Sequence, residues 1–380
     1  MLDVSFRLDP ELIIGMDTVS RAGTICRRYG KRALLVTEHN LHENKKIERL
    51  VAILEDSGIE TIVYDEIPAQ AKANAAEKAA ILARDARCSA IIAFGGLAVQ
   101  AMGRIAAISA NSGAEIPDLL EGKIPEDNFL PYIAVPTALR DPFLFSSCFA
   151  AVDPRDRQIK LISSPRGLCV GAIIDGGLSE PLGEAVSSSF ALDGLCISVE
   201  AYCSGRAGIL SDAFLEQAIP RYTRILQRYE ESRFDGLEEE MACAGVLMAL
   251  GAAASAPGIG TALAYAINSR FPVDKSRCAA VLFPHVLDKL IAARPERIAK
   301  VAVLMGEPAA ASAAETAALA AASVRRRMET LKVPARLQEF GLSLDRLVST
   351  AEAARGLGFI AFSPWAVAAE DAFELLKAAL

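Results

Sequence analysis

The sequence predicts an α/β N-terminal domain with a mostly parallel sheet, followed by an all-α C-terminal domain. Two observations predict it. Up to Asp175, short apolar β-rich runs alternate with helix-compatible stretches, the pattern that crossover-connected parallel strands require. From Gly177 onward the chain turns to long Ala, Leu, Glu and Arg stretches with few β-branched clusters. The shift divides the chain into residues 1–178 and 179–380. No Gly/Ser-rich or Pro-rich linker separates them, so the two halves are expected to pack around a cleft.

Residues 19–29 read as a helix, and Arg32–Thr37 is a compact apolar strand behind it. The amphipathic stretch 45–56 leads to a second strand at Glu60–Tyr64, and the Ala-rich stretch 71–84 to a third at 90–94. Segments 131–136, 145–152, 159–162 and 171–175 supply further strands. The early strands end in polar or glycine turns: Thr37-Glu38-His39-Asn40, Asp65-Glu66 and Gly95-Gly96. In open α/β sheets ligands gather at such carboxyl ends. In the second half, the longest apolar run, 243–258, is shorter than the ~20 residues that span a bilayer, and its Ala and Gly content predicts a buried helix.

With 380 residues, 52% hydrophobic and 23% charged, the chain is long enough for two cored domains and too apolar to be disordered. A net charge of −7 excludes a broad attraction for phosphate backbones, so no nucleic-acid partner is expected. Arg325-Arg326-Arg327 reads as a solvated helix face. The N-terminus carries charges where a signal peptide needs an apolar core, which predicts a cytoplasmic protein without a membrane partner. Eight cysteines at irregular spacing, none in a Cys-x-x-Cys pair, suit reduced core thiols.

The most informative segment is Asp193-Gly-Leu-Cys-Ile-Ser-Val-Glu-Ala-Tyr202. With Leu34-Leu-Val-Thr37, Ile91-Ile-Ala-Phe-Gly-Gly96, Tyr132-Ile-Ala-Val-Pro-Thr137, Gly258-Ile-Gly260 and Ala280-Val-Leu-Phe-Pro284, it forms an ordered set spanning nearly the whole chain. The set resembles the iron-containing alcohol dehydrogenase family. That resemblance implies a Rossmann-like first domain, a helical second domain, and the architecture shared with dehydroquinate synthase. It also implies an NAD or NADP cofactor, a divalent metal, a small-molecule or nucleotide ligand in the cleft, and a homodimer.

Against that pattern, the metal-binding residues depart. The resemblance places a metal-binding Asp and His one helical turn apart on one helix face, and here the pair reads Asp193 and Ile197. The family's two further histidines fall on Leu263 and Lys275, and a histidine one turn beyond the first falls on Ile267. Only His39, His42 and His285 occur in the chain, none at a ligand position. Asp193 alone cannot hold such an ion against water, so no Fe or Zn is expected. Lys275 is expected to put its ammonium in the vacant cation position and pair with Asp193. A site built from Asp193, Cys196 and Cys278 is a competing reading.

The nucleotide loops depart as well. Glu38, Gly95, Gly96 and Thr137 match cofactor-lining positions, but Leu97 and Ala98 follow the glycines, where the family has Gly and Ser. In the second loop, Leu139, Arg140, Phe143 and Leu144 add bulk to a weakened NAD(P) pocket. Two readings follow. Either metal-dependent hydride transfer is lost and the protein has a binding or assembly role, or the chain is an oxidoreductase with a rebuilt site. In the second reading Lys275 or Lys160 acts as electrophile and Arg140 orients an anionic substrate.

Overall fold

The computed structural model describes residues 6–42, 45–68, 70, 72–178 and 184–380, without the side chains of Asn40 and His42. The chain divides into two compact units: Arg7–Glu180, and Pro181–Leu380 joined by the N-terminal segment to Phe6. Phe6 groups with the helical unit because its ring lies 6.4 Å from that of Phe214.

The first unit is built from strands β1 (Glu11–Gly15), β2 (Arg32–Thr37), β3 (Glu60–Tyr64), β4 (Ala90–Gly95), β5 (Tyr132–Pro136), β6 (Cys148–Val152), β7 (Ile159–Ser163) and β8 (Cys169–Asp175). Its helices are α1 (Ala22–Cys26), α2 (Lys46–Asp56), α3 (Ala75–Asp85), α4 (Leu97–Ser112) and α5 (Ile116–Leu120). Six strands form one sheet in the order β1-β8-β5-β4-β2-β3, and every pairing in it is parallel. β4 and β5 are buried along their whole length, which is why they read as continuous apolar runs and not as alternating ones. β6 and β7 form a separate antiparallel pair.

Three local expectations are corrected. Glu11–Gly15, unassigned from sequence, is an edge strand whose partner, β8, lies far along the chain. The helix expected at 19–29 is a 3-10 turn, Thr18–Arg21, followed by the short α1. The helix expected from residue 71 begins at Ala75.

The second unit is helical throughout: α6 (Glu184–Cys203), α7 (Ile209–Glu230), α8 (Leu237–Ala254), α9 (Ile259–Arg270), α10 (Lys275–Ala293), α11 (Pro295–Leu304), α12 (Ala313–Thr330), α13 (Leu344–Arg355) and α14 (Ala369–Ala378). From Ala191 to Cys203, α6 is buried on every side, as expected of a helix at the centre of a bundle. The apolar run 243–258 is not one helix. Pro257 lacks an N–H and disfavours helix at Ala256, so α8 stops at Ala254 and α9 departs at 107°. Among the described residues no single helix is long and apolar enough to cross a membrane.

Candidate functional site

In the helical unit the site grows from three helices that pack against one another: α6, α9 and α10. Asp193, Ile197 and Glu200 follow one another along one side of α6 at helical spacing. α9 brings Leu263, Tyr265 and Ile267, and α10 opens with Lys275 and Ser276. All of these side chains are buried.

Lys275 is the first residue of α10, where the helix dipole disfavours a cation. Asp193 compensates: Lys275 Nζ donates to Asp193 Oδ1 at 2.6 Å, with the side chains 1% and 0% exposed. Ser276 Oγ donates to the other carboxylate oxygen at 2.6 Å. The ammonium also lies 5.0 Å from the centroid of the Tyr265 ring, within cation–π range. Every polar atom of Asp193 thus has a partner, and one of these is a full positive charge.

Two neighbours complete the cluster. An added Cβ at Gly194 would lie 2.2 Å from Tyr222 Cζ and 2.4 Å from its hydroxyl oxygen, so the phenol occupies space that only glycine leaves open. That hydroxyl is buried without a hydrogen-bond partner among the described residues. Burial and, secondarily, the Asp193 charge push the phenol far above the usual tyrosine range. One turn from Ile197, Glu200 takes the first turn of α9: it accepts from the backbone N–H of Gly258 (3.1 Å), Gly260 (2.6 Å) and Thr261 (3.1 Å), and from Thr261 Oγ1 (2.6 Å). Burial still pushes the Glu200 carboxyl up, against the pull of those donors.

This donor set does not fit the divalent metal that the resemblance implies. Ile197, Leu263 and Ile267 offer no lone pair, and the Lys275 ammonium repels a cation. The reading with Asp193, Cys196 and Cys278 is also corrected. Among the described residues no group of three or more His, Cys, Asp or Glu side chains could hold a metal ion. Burial first, then the Glu200 and Asp193 charges, keeps the Cys196 thiol protonated, and burial together with Asp274 does the same for Cys278.

In the α/β unit, the turn after β4 keeps the frame of a dinucleotide loop. Gly95 has φ of 155°, and a Cβ there would meet Val99 Cγ2 at 2.7 Å. Gly96 then starts the sixteen-residue α4 with no side-chain cap. Its N–H, one of the donors such a turn offers to a phosphate, donates instead to Glu38 Oε1 at 3.0 Å. Thr137 is buried beside this turn, its N–H donating to Gly95 O at 3.2 Å. Glu38, Gly95, Gly96 and Thr137 are therefore brought together, with Leu97 half-buried next to them.

The loop after β5 is held from beneath by a residue that sequence reading passed over. Arg104, buried on α4, donates to the carbonyls of Phe143 (3.2 Å) and Leu144 (2.9 Å). Its guanidinium lies 5.7 Å from the Tyr132 ring centroid and 5.4 Å from that of Phe149. Phe143 and Leu144 are consequently core residues, whereas Leu139 and Arg140 are half-buried. Lys160 stands apart on β7, partly exposed, 3.8 Å from Asp156. His39 is exposed, its Nδ1 3.0 Å from Asp65. His285 is half-buried on α10, and the His42 side chain lies outside the described residues.

Glu200, Ser276, Tyr222 and Arg104 were not anticipated as site residues. For Glu200 the Glu-Ala-Tyr tail was a visible signal; for Tyr222 and Arg104 no local pattern pointed to their partners.

Comparison with known proteins agrees with the architecture. The model of the family "iron-containing alcohol dehydrogenase" matches residues 9–176, and that of the "Fe-containing alcohol dehydrogenase family, C-terminal" matches residues 188–380. The NAD-dependent methanol dehydrogenase of Bacillus methanolicus is 23% identical, covering 99% of this chain and 100% of its own. The 1,3-propanediol dehydrogenase of Klebsiella pneumoniae is 27% identical over 86% of each chain. The crystal structure of a 1,3-propanediol oxidoreductase superposes with a TM-score of 0.93 over 100% of both chains at 24% identity. On its sequence matches and its fold, the chain belongs to the iron-containing alcohol dehydrogenase family.

Proposed function

We propose that this protein is a metal-independent member of its family: a nicotinamide-linked alcohol/aldehyde oxidoreductase in which the Lys275 ammonium replaces the metal as the fixed positive charge. The observation that carries this reading is the buried pair, with Lys275 Nζ 2.6 Å from Asp193 Oδ1. Relatives support the reaction class, since the similar proteins are an NAD-dependent methanol dehydrogenase and a 1,3-propanediol dehydrogenase. Gly95, Gly96, Thr137 and Glu38 would hold NAD(P), which would supply the hydride acceptor or donor. Lys275 contributes positive charge toward an oxygen that becomes negative in the transition state, the role a metal fills elsewhere. Asp193 fixes the ammonium in place.

A second reading is a binding or assembly role without hydride transfer. It is favoured by one observation: at 1% exposure, with a carboxylate and an aromatic face as neighbours, Lys275 is engaged internally.

Elemental analysis, calorimetry with NAD(H) and NADP(H), and reduction of a panel of aldehydes with and without chelator decide between them. Turnover that survives chelator and falls at least tenfold in Lys275→Met supports the first reading. No nucleotide binding and no turnover support the second. Stoichiometric iron or zinc with chelator-sensitive turnover overturns both.

A further inference from the structure

Outside the charge cluster, the helical unit holds a small cavity of about 10 Å³, lined by Glu200, Ser204, Gly258, Phe362, Ser363 and Trp365 among others. Two residues of this lining carry a buried polar atom, Ser363 Oγ and Trp365 Nε1, with no hydrogen-bond partner among the described residues. An unpaired buried N–H is rare because it forfeits its full hydration, about 1–3 kcal/mol. The cavity matches the roughly 10–15 Å³ that one water needs. Ser204 Oγ already has partners, and the other three polar side chains match what one water requires: the Trp365 indole N–H can only donate, the Glu200 carboxylate can only accept, and the Ser363 hydroxyl does either. Glu200 has capacity left, because Oε2 accepts three of its four donors and Oε1 only the N–H of Gly260.

From these we infer that this cavity is a binding site for a single ordered water, which accepts from Trp365 Nε1 and donates to the Glu200 carboxylate, with Ser363 Oγ as its third partner. The segment carrying the two orphan atoms is already pinned at its start: Gly205 N–H and Ser204 Oγ both donate to Phe362 O, at 2.7 and 3.2 Å. The water extends that attachment to the carboxylate that organises the first turn of α9. It thus ties the Ser363-Pro-Trp365 segment to the helix bearing Leu263 and Tyr265. The inference is independent of whether the protein turns over a substrate.

Trp365 is the chain's single tryptophan, so its indole proton gives one assignable NMR signal in the full-length protein. The expected result is a protected indole proton with a cross-peak to a long-lived water, and one density peak within hydrogen-bond reach of Trp365 Nε1 and Glu200 in a high-resolution crystal structure. Ser363→Ala, a change expected to fold normally, should speed exchange of that proton about tenfold, the loss of about one good hydrogen bond. An indole proton that exchanges as fast as in an exposed tryptophan, or a structure in which Ser363 or Trp365 bonds Glu200 directly with no water between, would overturn the proposal. So would an unchanged exchange rate in Ser363→Ala.

Discussion

The Lys275 ammonium lies 2.6 Å from an Asp193 carboxylate oxygen, with neither side chain in contact with solvent to any useful extent. Two helices distant in sequence thereby share one neutral charge pair at the position where the family resemblance places a metal.

A buried pair of this kind is costly to break and cheap to replace as a unit. Lys275→Met alone should destabilise the protein by about 3–5 kcal/mol, because it leaves Asp193 charged, buried and held only by Ser276. Combining it with Asp193→Leu should recover most of that loss. Urea unfolding of the two single variants and the double variant measures the coupling.

Since the cation is internal, chelators should leave the melting temperature unchanged, and added Zn²⁺ or Fe²⁺ should not raise it. The variant combining Ile197→His, Leu263→His and Lys275→His should reverse this behaviour. With Asp193 it would present four donors, and metal at about a hundred times its Kd should stabilise by about 2.7 kcal/mol. A metal-dependent shift in thermal unfolding of this variant, absent from the parent, is the expected outcome.

Gly194 and Tyr222 give an independent test of packing beside the pair. Gly194→Ala should cost about 1–3 kcal/mol by overpacking, since its Cβ has the Tyr222 ring and hydroxyl within 2.5 Å. Tyr222→Phe should be neutral or slightly stabilising, because the hydroxyl it removes is buried without a partner among the described residues. Denaturant midpoints of the two variants should therefore move unequally, with only the first falling markedly.

Arg104 controls the loop after β5. Arg104→Met removes the donors to Phe143 O and Leu144 O and should cost about 3 kcal/mol, at the upper end for hydrogen bonds to a charged group. Hydrogen exchange should rise in residues 137–145 more than in the sheet.

Burial holds the His285 imidazole below its ordinary value near 6.5, with Arg325 adding to the effect and Asp288 opposing it. A depressed folded-state value means that the folded protein binds this proton less readily than the unfolded chain. The associated stability is complete above about pH 6.5 and is lost as pH falls through the folded-state value. His285→Gln should therefore flatten the decline in unfolding free energy between neutral and mildly acidic pH.

Much of this molecule was legible locally. Strands β2 and β4 are apolar runs that must be buried on both faces, β3 is a short β-branched run at the sheet edge, and the Ala-rich helical character after Gly177 follows from composition. The loss of imidazoles at Ile197, Leu263 and Lys275 was also readable, because side-chain chemistry is a property of the sequence itself. Edge strand β1 was not, since its pairing with β8 is a non-local contact that leaves a weak local pattern. Nor did the apolar run 243–258 reveal its sharp bend.

By itself, then, the sequence determined the family and which residues, Asp193, Ile197, Leu263 and Lys275, stand at the matched positions, because both are matters of which residues stand in which order. Only the tertiary structure decided which of these residues meet. Lys275 and Asp193 are 82 positions apart, and whether such charges meet depends on how α6 and α10 pack. The same holds for Tyr222 against Gly194, for Arg104 against the carbonyls of Phe143 and Leu144, and for Trp365 and Glu200 on the wall of one cavity. Each is a pairing forced by burial, where an unsatisfied charge or donor costs too much to be left alone.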